Sequence, residues 1–151
     1  LIFNNKGEIM DILQSVAIEI SLWETFAGAR GANATVFLAT VVAVWIAARF
    51  SSVMIEKNAN VLARVICTAF AVSVFLLGLN LSGWINGTYE GHAGALAALD
   101  MANGDLDIGA GSLQFIENTK SGNMLSSLGG WMFYLSGLLI AVLPLWISND
   151  N

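Results

Sequence analysis

Charged residues are scarce in this sequence: Asp, Glu, Lys and Arg make up only 11% of its 151 residues. Soluble globular domains carry about a quarter charged residues, whereas here the hydrophobic residues reach 56% and the mean hydropathy is +0.71. This composition excludes a disordered chain and argues against a soluble globular fold. The net charge of −5 has the wrong sign for binding phosphates, so nucleic acid is excluded as a partner.

Residues that bind metals or act in catalysis are equally few. Cys67 is the only cysteine and His92 the only histidine, so the chain can form no internal disulfide and cannot build a zinc site by itself, which takes about three or four protein ligands. Cys67 falls in an apolar run and is interpreted as a small packing residue. No motif implies a cofactor, and we expect no enzymatic activity from the chain alone.

Long uncharged runs are what the sequence has in abundance. A helix needs about 20 mostly apolar residues to cross the hydrocarbon core of a bilayer, and three runs satisfy this requirement. The sequence therefore predicts an all-α integral membrane protein, with a transmembrane domain over residues 31–149. Its three spans are expected at about 32–55, 61–85 and 125–148, with a long external loop over 86–124 that contains a short helix.

The distribution of charge predicts the orientation of these spans. The turn over residues 49–64 has a net charge of +2, whereas the segment between the second and third spans has a net charge of −4. Because cytoplasmic loops carry an excess of Lys and Arg, the turn and the C-terminus are expected in the cytoplasm. The N-terminus and the loop 86–124 are then external, and periplasmic if the membrane is a bacterial inner membrane.

Residues 1–30 are predicted to form an amphipathic helix that lies at the membrane interface. Six apolar residues recur at helical spacing and form a row that we call the N-terminal stripe: Ile9, Ile12, Leu13, Val16, Ile20 and Trp23. An isolated interfacial helix favours Lys and Arg, but Glu19 and Glu24 border this stripe. We therefore expect the stripe, and Ile12, Val16, Ile20 and Trp23 above all, to contact another protein subunit. The segment lacks the basic region and cleavage site of a signal peptide, and whether residues 1–9 belong to the mature protein stays open.

Small residues recur within the predicted spans and mark faces where helix backbones can approach closely. They are Ala39, Ala43 and Ala47 in the first span, Gly78 and Ser82 in the second, and Gly130 and Gly137 in the third. Three helices cannot hide every such face from lipid, so some are expected to contact another chain. The alternative for any single face is packing within the three-helix unit.

One stretch of the loop bears a partial resemblance to a calcium-binding pattern. Oxygen-bearing side chains alternate at Asn103, Asp105 and Asp107, as in loops that surround Ca²⁺ with six to eight oxygens. In the register of an EF-hand, Ile108 would replace the glycine of the turn. The alternative is a solvated glycine-rich turn.

Three functions remain open from the sequence. The favoured one is a small non-catalytic subunit that assembles with and stabilises a larger membrane complex of respiratory, photosynthetic or membrane-oxygenase type. The second is a component of a homo-oligomeric channel or transporter. The third is a membrane enzyme or metal-binding subunit that a partner chain completes, with His92 and the loop residues Asn103, Asp105 and Asp107 as ligands. All three place the chain among membrane lipids.

Overall fold

The computed structural model describes residues 2–104, 107–122 and 124–147, and nearly all of them are helical. In chain order, the helices are α1 (Ile2–Glu56), α2 (Val61–Ala102), α3 (Ala110–Lys120) and α4 (Met124–Ile147). The described residues contain no strand. Three helices, α1, α2 and α4, are long and apolar enough to cross a membrane. The predicted all-α class, with three helices long and apolar enough to span a membrane, is therefore confirmed for the described residues.

The prediction of a loop with one short helix over residues 86–124 understates the helix content of this segment. α2 continues without a break from the second span to Ala102, and α3 occupies residues 110–120. No proline interrupts α2, and its second half is rich in Ala and Leu, which are strong helix formers. The helix ends at Asn103 and Gly104, where Gly104 has a φ of +64°. This left-handed conformation is the usual end of a helix and favours glycine.

α1 likewise runs without a break from the predicted interfacial segment into the first span. Gly28 and Gly31 stand in its middle, but a glycine lowers helix stability by only about 1 kcal/mol and does not by itself end a helix. The prediction of a separate segment over residues 1–30 therefore missed the continuity of the helix.

The chain divides into two compact units. The first contains the described residues of Leu1–Ala32 and Ile85–Asn123, and the second those of Asn33–Trp84 and Met124–Asn151. In the second unit, α4 has 24 residues, and the segments 33–56 of α1 and 61–84 of α2 have the same length. At 1.5 Å per residue each segment is about 36 Å long, which matches a hydrocarbon core of about 30 Å.

Small side chains form the centre of the second unit. Ala47, Ala71 and Ala141, one from each helix, are almost fully buried against one another. The ring of Tyr134 in α4 lies against Gly78 of α2, and Val44 of α1 packs where Gly137 of α4 has no side chain. Such contacts bring helix backbones close together, and this is how helices associate where lipid provides no hydrophobic driving force.

Polar contacts close one end of the second unit. The Arg64 guanidinium donates to the Leu145 carbonyl at 3.1 Å and to the Ala59 carbonyl at 3.2 Å. The indole Nε1 of Trp146 donates to Thr68 Oγ1 at 3.1 Å. The last four carbonyls of a helix lack partners within it, so Arg64 satisfies one of those at the C-terminus of α4.

The first unit has a separate core formed by α3 and the neighbouring parts of α1 and α2. Leu96 is fully buried at its centre, together with Ala93, Ile108 and Ile116. Nine of the eleven acidic residues of the chain belong to this unit, against three of its six basic residues. The first unit is therefore strongly acidic, and the second carries a small positive charge.

Candidate functional site

The α1 segment of the first unit has two different side-chain faces. One face packs within the unit and contains Ser15, Glu19, Leu22 and Phe26, whose spacing of four, three and four residues places them on one side of a helix. Five of the six residues of the N-terminal stripe are exposed, each by between 39% and 59% of its surface. At 100° per residue the two faces are centred about a quarter of a turn apart. The sixth residue of the stripe, Trp23, lies where the faces meet and is partly buried.

Aromatic rings fill the space beside the packed face. The aromatic cluster consists of Trp23, Phe26, Tyr89, His92 and Phe115, which come from α1, α2 and α3. His92 stacks on Phe26 with ring centroids 4.3 Å apart and an interplanar angle of 6°. Trp23 meets His92 edge-on at 4.7 Å. These contacts bind the three helices together by ring packing, which favours such stacked and edge-to-face arrangements.

His92 is a packing residue in this cluster. It is 8% exposed, and its Nε2 has no hydrogen-bond partner among the described residues. The residue lies beyond the predicted second span, and burial lowers the pKa of its imidazole below the ordinary value, because desolvation disfavours the charged form. A neutral imidazole stacked between rings is better suited to packing than to proton transfer.

A polar network lies next to the aromatic cluster. Trp23 Nε1 donates to Ser112 Oγ at 2.9 Å, and Ser112 Oγ donates to a Glu19 carboxylate oxygen at 2.5 Å. The backbone N–H of Gly109 also donates to this carboxylate, at 3.1 Å. Gly109 is the N-cap of α3 and has no side chain to cap the helix. Glu19 of α1 therefore performs the capping, and its negative charge is favourable at the positive end of the α3 dipole.

The described residues of the predicted metal site have different surroundings. Asn103 donates through its amide nitrogen to Ser15 Oγ at 2.6 Å, so it contacts α1. Asp107 is exposed, and His92 lies in the aromatic cluster. Asp105 falls outside the described residues. Within residues 2–104, 107–122 and 124–147, no three His, Cys, Asp or Glu side chains are grouped so that they could bind a metal ion.

The small residues that were predicted to contact partners occupy different environments. Ala47, Gly78 and Gly137 are buried within the second unit, Ala43, Ser82 and Gly130 are partly buried, and Ala39 is exposed. Two residues of the same core, Ala71 and Ala141, were missed. Ala71 belongs to a row of buried residues in α2 at alternating spacings of four and three: Cys67, Ala71, Val74, Gly78 and Leu81. Ala141 belongs to a similar row in α4 at spacings of three, four and four: Tyr134, Gly137, Ala141 and Leu145.

The predicted partner surface on α1 has the opposite character. Ile12, Val16 and Ile20 are exposed along one side of the helix, and exposed acidic residues, Asp11 and Glu24, lie on the same segment. An apolar row of this length on a helix is a candidate surface for binding another protein or lipid.

Comparison with known proteins found no relative of this chain. The chain matches no family model, no curated protein and no solved structure.

Proposed function

We propose that this protein is a small non-catalytic membrane subunit that binds and stabilises a larger membrane complex through the N-terminal stripe. The complex is of the respiratory, photosynthetic or membrane-oxygenase type, in a bacterial inner membrane. One observation carries the proposal: the first unit builds its own core with a different face of α1 and leaves Ile12, Val16 and Ile20 exposed.

The energetics favour a covered stripe. Full burial of one large aliphatic side chain contributes about 1.5–3 kcal/mol. The five exposed residues of the stripe are each about half exposed, so covering them would contribute on the order of 5 kcal/mol before the cost of association. A contribution of this size is what we expect from a single helix that forms one part of a larger interface with its partner.

Charge favours a protein over bare lipid as the partner of the stripe. Helices that bind a membrane surface on their own carry Lys and Arg beside their apolar face. This segment instead carries Asp11, Glu19 and Glu24, and the whole first unit has six more acidic than basic residues. An anionic membrane surface repels such a unit. The same imbalance supports placing the first unit outside the cytoplasm, with Arg49, Lys57 and Arg64 inside.

The test is to isolate the tagged chain from gently solubilised native membranes and identify its companions by mass spectrometry. The variants Ile12→Glu and Val16→Glu place a charge in the middle of the stripe. Each should lower the recovery of companion subunits at least about tenfold, because burying an unpaired carboxylate costs several kcal/mol. The variants should remain inserted in the membrane, since the second unit is unchanged.

Ile18→Glu is the matched control. Ile18 has the same residue type, lies on the same helix and is 42% exposed, close to the 39% of Ile12, but it lies off the stripe. If Ile18→Glu releases the companions as strongly, the effect is one of general charge and the stripe is not the interface. Recovery of this chain alone, at a multiple of 16.0 kDa, would instead favour the alternative of a homo-oligomeric channel or transporter component.

A further inference from the structure

The second unit contains a groove between α1 and α4, close to the C-terminal ends of both helices, and its lining is mostly apolar with a few polar side chains. It has a volume of about 310 Å³ and is lined among others by Trp45, Arg49, Ser51, Ile140 and Pro144. Ligand pockets range from about 300 to 1,000 Å³. The groove is therefore large enough for a headgroup with part of an acyl chain, and too small for a whole lipid.

Arg49 gives this groove a positive charge that is not committed elsewhere by a short hydrogen bond. Its ion pair with Glu56 is 3.7 Å long, and both side chains are more than half exposed. That distance exceeds the 2.7–3.2 Å of a hydrogen bond, and exposed pairs of this kind contribute little. Arg64, at the same end of the unit, is by contrast bound to two backbone carbonyls.

Ser51 adds a polar group that lacks a partner. It is 1% exposed, it lines the groove, and its hydroxyl has no hydrogen-bond partner among the described residues. Thr40 and Ser52 on the same helix donate to the carbonyl four residues earlier. A buried hydroxyl without a partner costs about 1–3 kcal/mol, so an oxygen entering the groove would satisfy it.

Ile140 and Pro144 line the α4 side of the groove. Pro144 has no N–H to donate to the Ile140 carbonyl, as an ordinary residue in a helix would. A purely apolar ligand, such as an acyl chain alone, would leave Arg49 and Ser51 without a partner in the groove.

We propose that this groove binds one phospholipid with a negatively charged headgroup. Arg49 pairs with the phosphate, Ser51 on the groove floor gains a phosphate oxygen as its partner, and Trp45 and Ile140 contact the first part of an acyl chain. Arg49 lies seven residues before the end of α1, about 10 Å along the axis, so its long side chain reaches the headgroup layer.

Charge at this end of the unit selects an anionic over a zwitterionic lipid. Residues 49–64 carry Arg49, Lys57 and Arg64 against Glu56. Basic pockets between transmembrane helices bind anionic headgroups for this reason. The proposal is independent of the N-terminal stripe, which belongs to the first unit.

The experiment counts lipids retained by the delipidated, purified full chain, using native mass spectrometry after addition of phosphatidylglycerol or phosphatidylcholine. The unchanged chain should retain one phosphatidylglycerol in preference to phosphatidylcholine. Arg49→Gln should weaken that retention at least about tenfold, as expected for loss of a charge-assisted hydrogen bond. Ser51→Ala should weaken it about threefold or more, whereas Ser73→Ala, whose hydroxyl is bonded within α2, should not.

Lys57→Gln is the matched control for charge, because it removes one positive charge from the same end without altering the groove lining. An equal loss in Lys57→Gln, or full retention in Arg49→Gln, overturns the proposal. Thermal unfolding provides the second measurement: phosphatidylglycerol should raise the Tm of the unchanged chain, and inorganic phosphate at equal ionic strength should not. An equal rise with inorganic phosphate would identify the ligand as a free anion and overturn the lipid assignment.

Discussion

Replacing Gly78 with alanine adds one methyl group at the closest contact between α2 and α4. A Cβ built on Gly78 would overlap the Cε1, Cδ1 and Cζ atoms of Tyr134. Tyr134 is 2% exposed, so its ring has no open side toward which to turn. The void beside it measures about 10 Å³, roughly the space of one water molecule, and it cannot accept a displaced ring.

Two opposing effects determine the magnitude. Alanine is favoured over glycine inside a helix by about 1 kcal/mol, whereas overpacking a tight core costs about 1–3 kcal/mol. Because three ring atoms are overlapped and none can move away, we place the cost at the upper end. Gly78→Ala should therefore lower the free energy of unfolding by about 2 kcal/mol.

Gly83→Ala isolates the packing effect. Gly83 lies five residues further along α2, and a Cβ there would meet nothing within 4 Å. It receives the same gain in helix propensity without the overlap, so it should stabilise the protein by up to about 1 kcal/mol. The difference between the two variants then measures overpacking alone.

The assay is reversible unfolding in mixed micelles, with SDS as denaturant and helix content as the signal. Adding Tyr134→Leu to Gly78→Ala should reduce the cost of the alanine, because the overlapping ring is gone, and the double-mutant cycle gives the coupling energy. If Gly78→Ala is as stable as Gly83→Ala, α2 and α4 are not packed at this distance and the reasoning fails.

Two further predictions concern the first unit. Glu19→Ala removes the cap of α3 and should destabilise this helix by about 1–3 kcal/mol, measured as faster hydrogen exchange at residues 109–120. The control is Glu24→Ala, which removes an exposed acid on the same helix as Glu19 and should leave that exchange unchanged. Equal effects of the two variants would contradict the capping role. Burial lowers the pKa of His92 below its ordinary value of 6.5, so just below pH 6.5 the unfolded chain binds more protons than the folded chain. The free energy of unfolding should therefore rise with pH through that window and reach its full value above it. His92→Phe should remove this pH dependence of the Tm, and an unchanged slope would show that other groups cause it.

The spans could be predicted from the sequence because each depends on one local property, an uncharged apolar run of sufficient length. The continuity of α2 could not be predicted in the same way. A short helix within residues 86–124 was expected to be separate from the second span, but no residue between them breaks a helix that both neighbouring segments favour. Hydropathy indicates the residue at which a helix leaves the apolar layer, but the helix itself can continue beyond that residue.

The aromatic cluster shows what was missing for the candidate site. His92 stood out in the sequence because it is unique, and uniqueness suggested a ligand. Its partners Trp23, Phe26 and Phe115 are far apart in the chain, and only the packing of α1, α2 and α3 brings them together. The role of Glu19 was hidden for the same reason, since Gly109, the N-cap residue that it contacts, lies ninety residues later in the chain.

In the second unit the apolar character of the helices conceals their packing faces. A water-soluble helix shows its buried face by hydropathy, but a helix in lipid is apolar on all sides and hydropathy no longer distinguishes them. The buried row of α2 is richer in small side chains: it includes Cys67, Ala71 and Gly78 beside Val74 and Leu81, while Leu76 and Leu77 are exposed. The contrast reverses in the first unit, where the large residues of the N-terminal stripe remain exposed beside a complete core. In the second unit, small residues pack between the helices. In the first unit, large apolar residues stay exposed beside acidic ones although the core of the unit is complete. This asymmetry is why we assign the partner surface to α1 of the first unit.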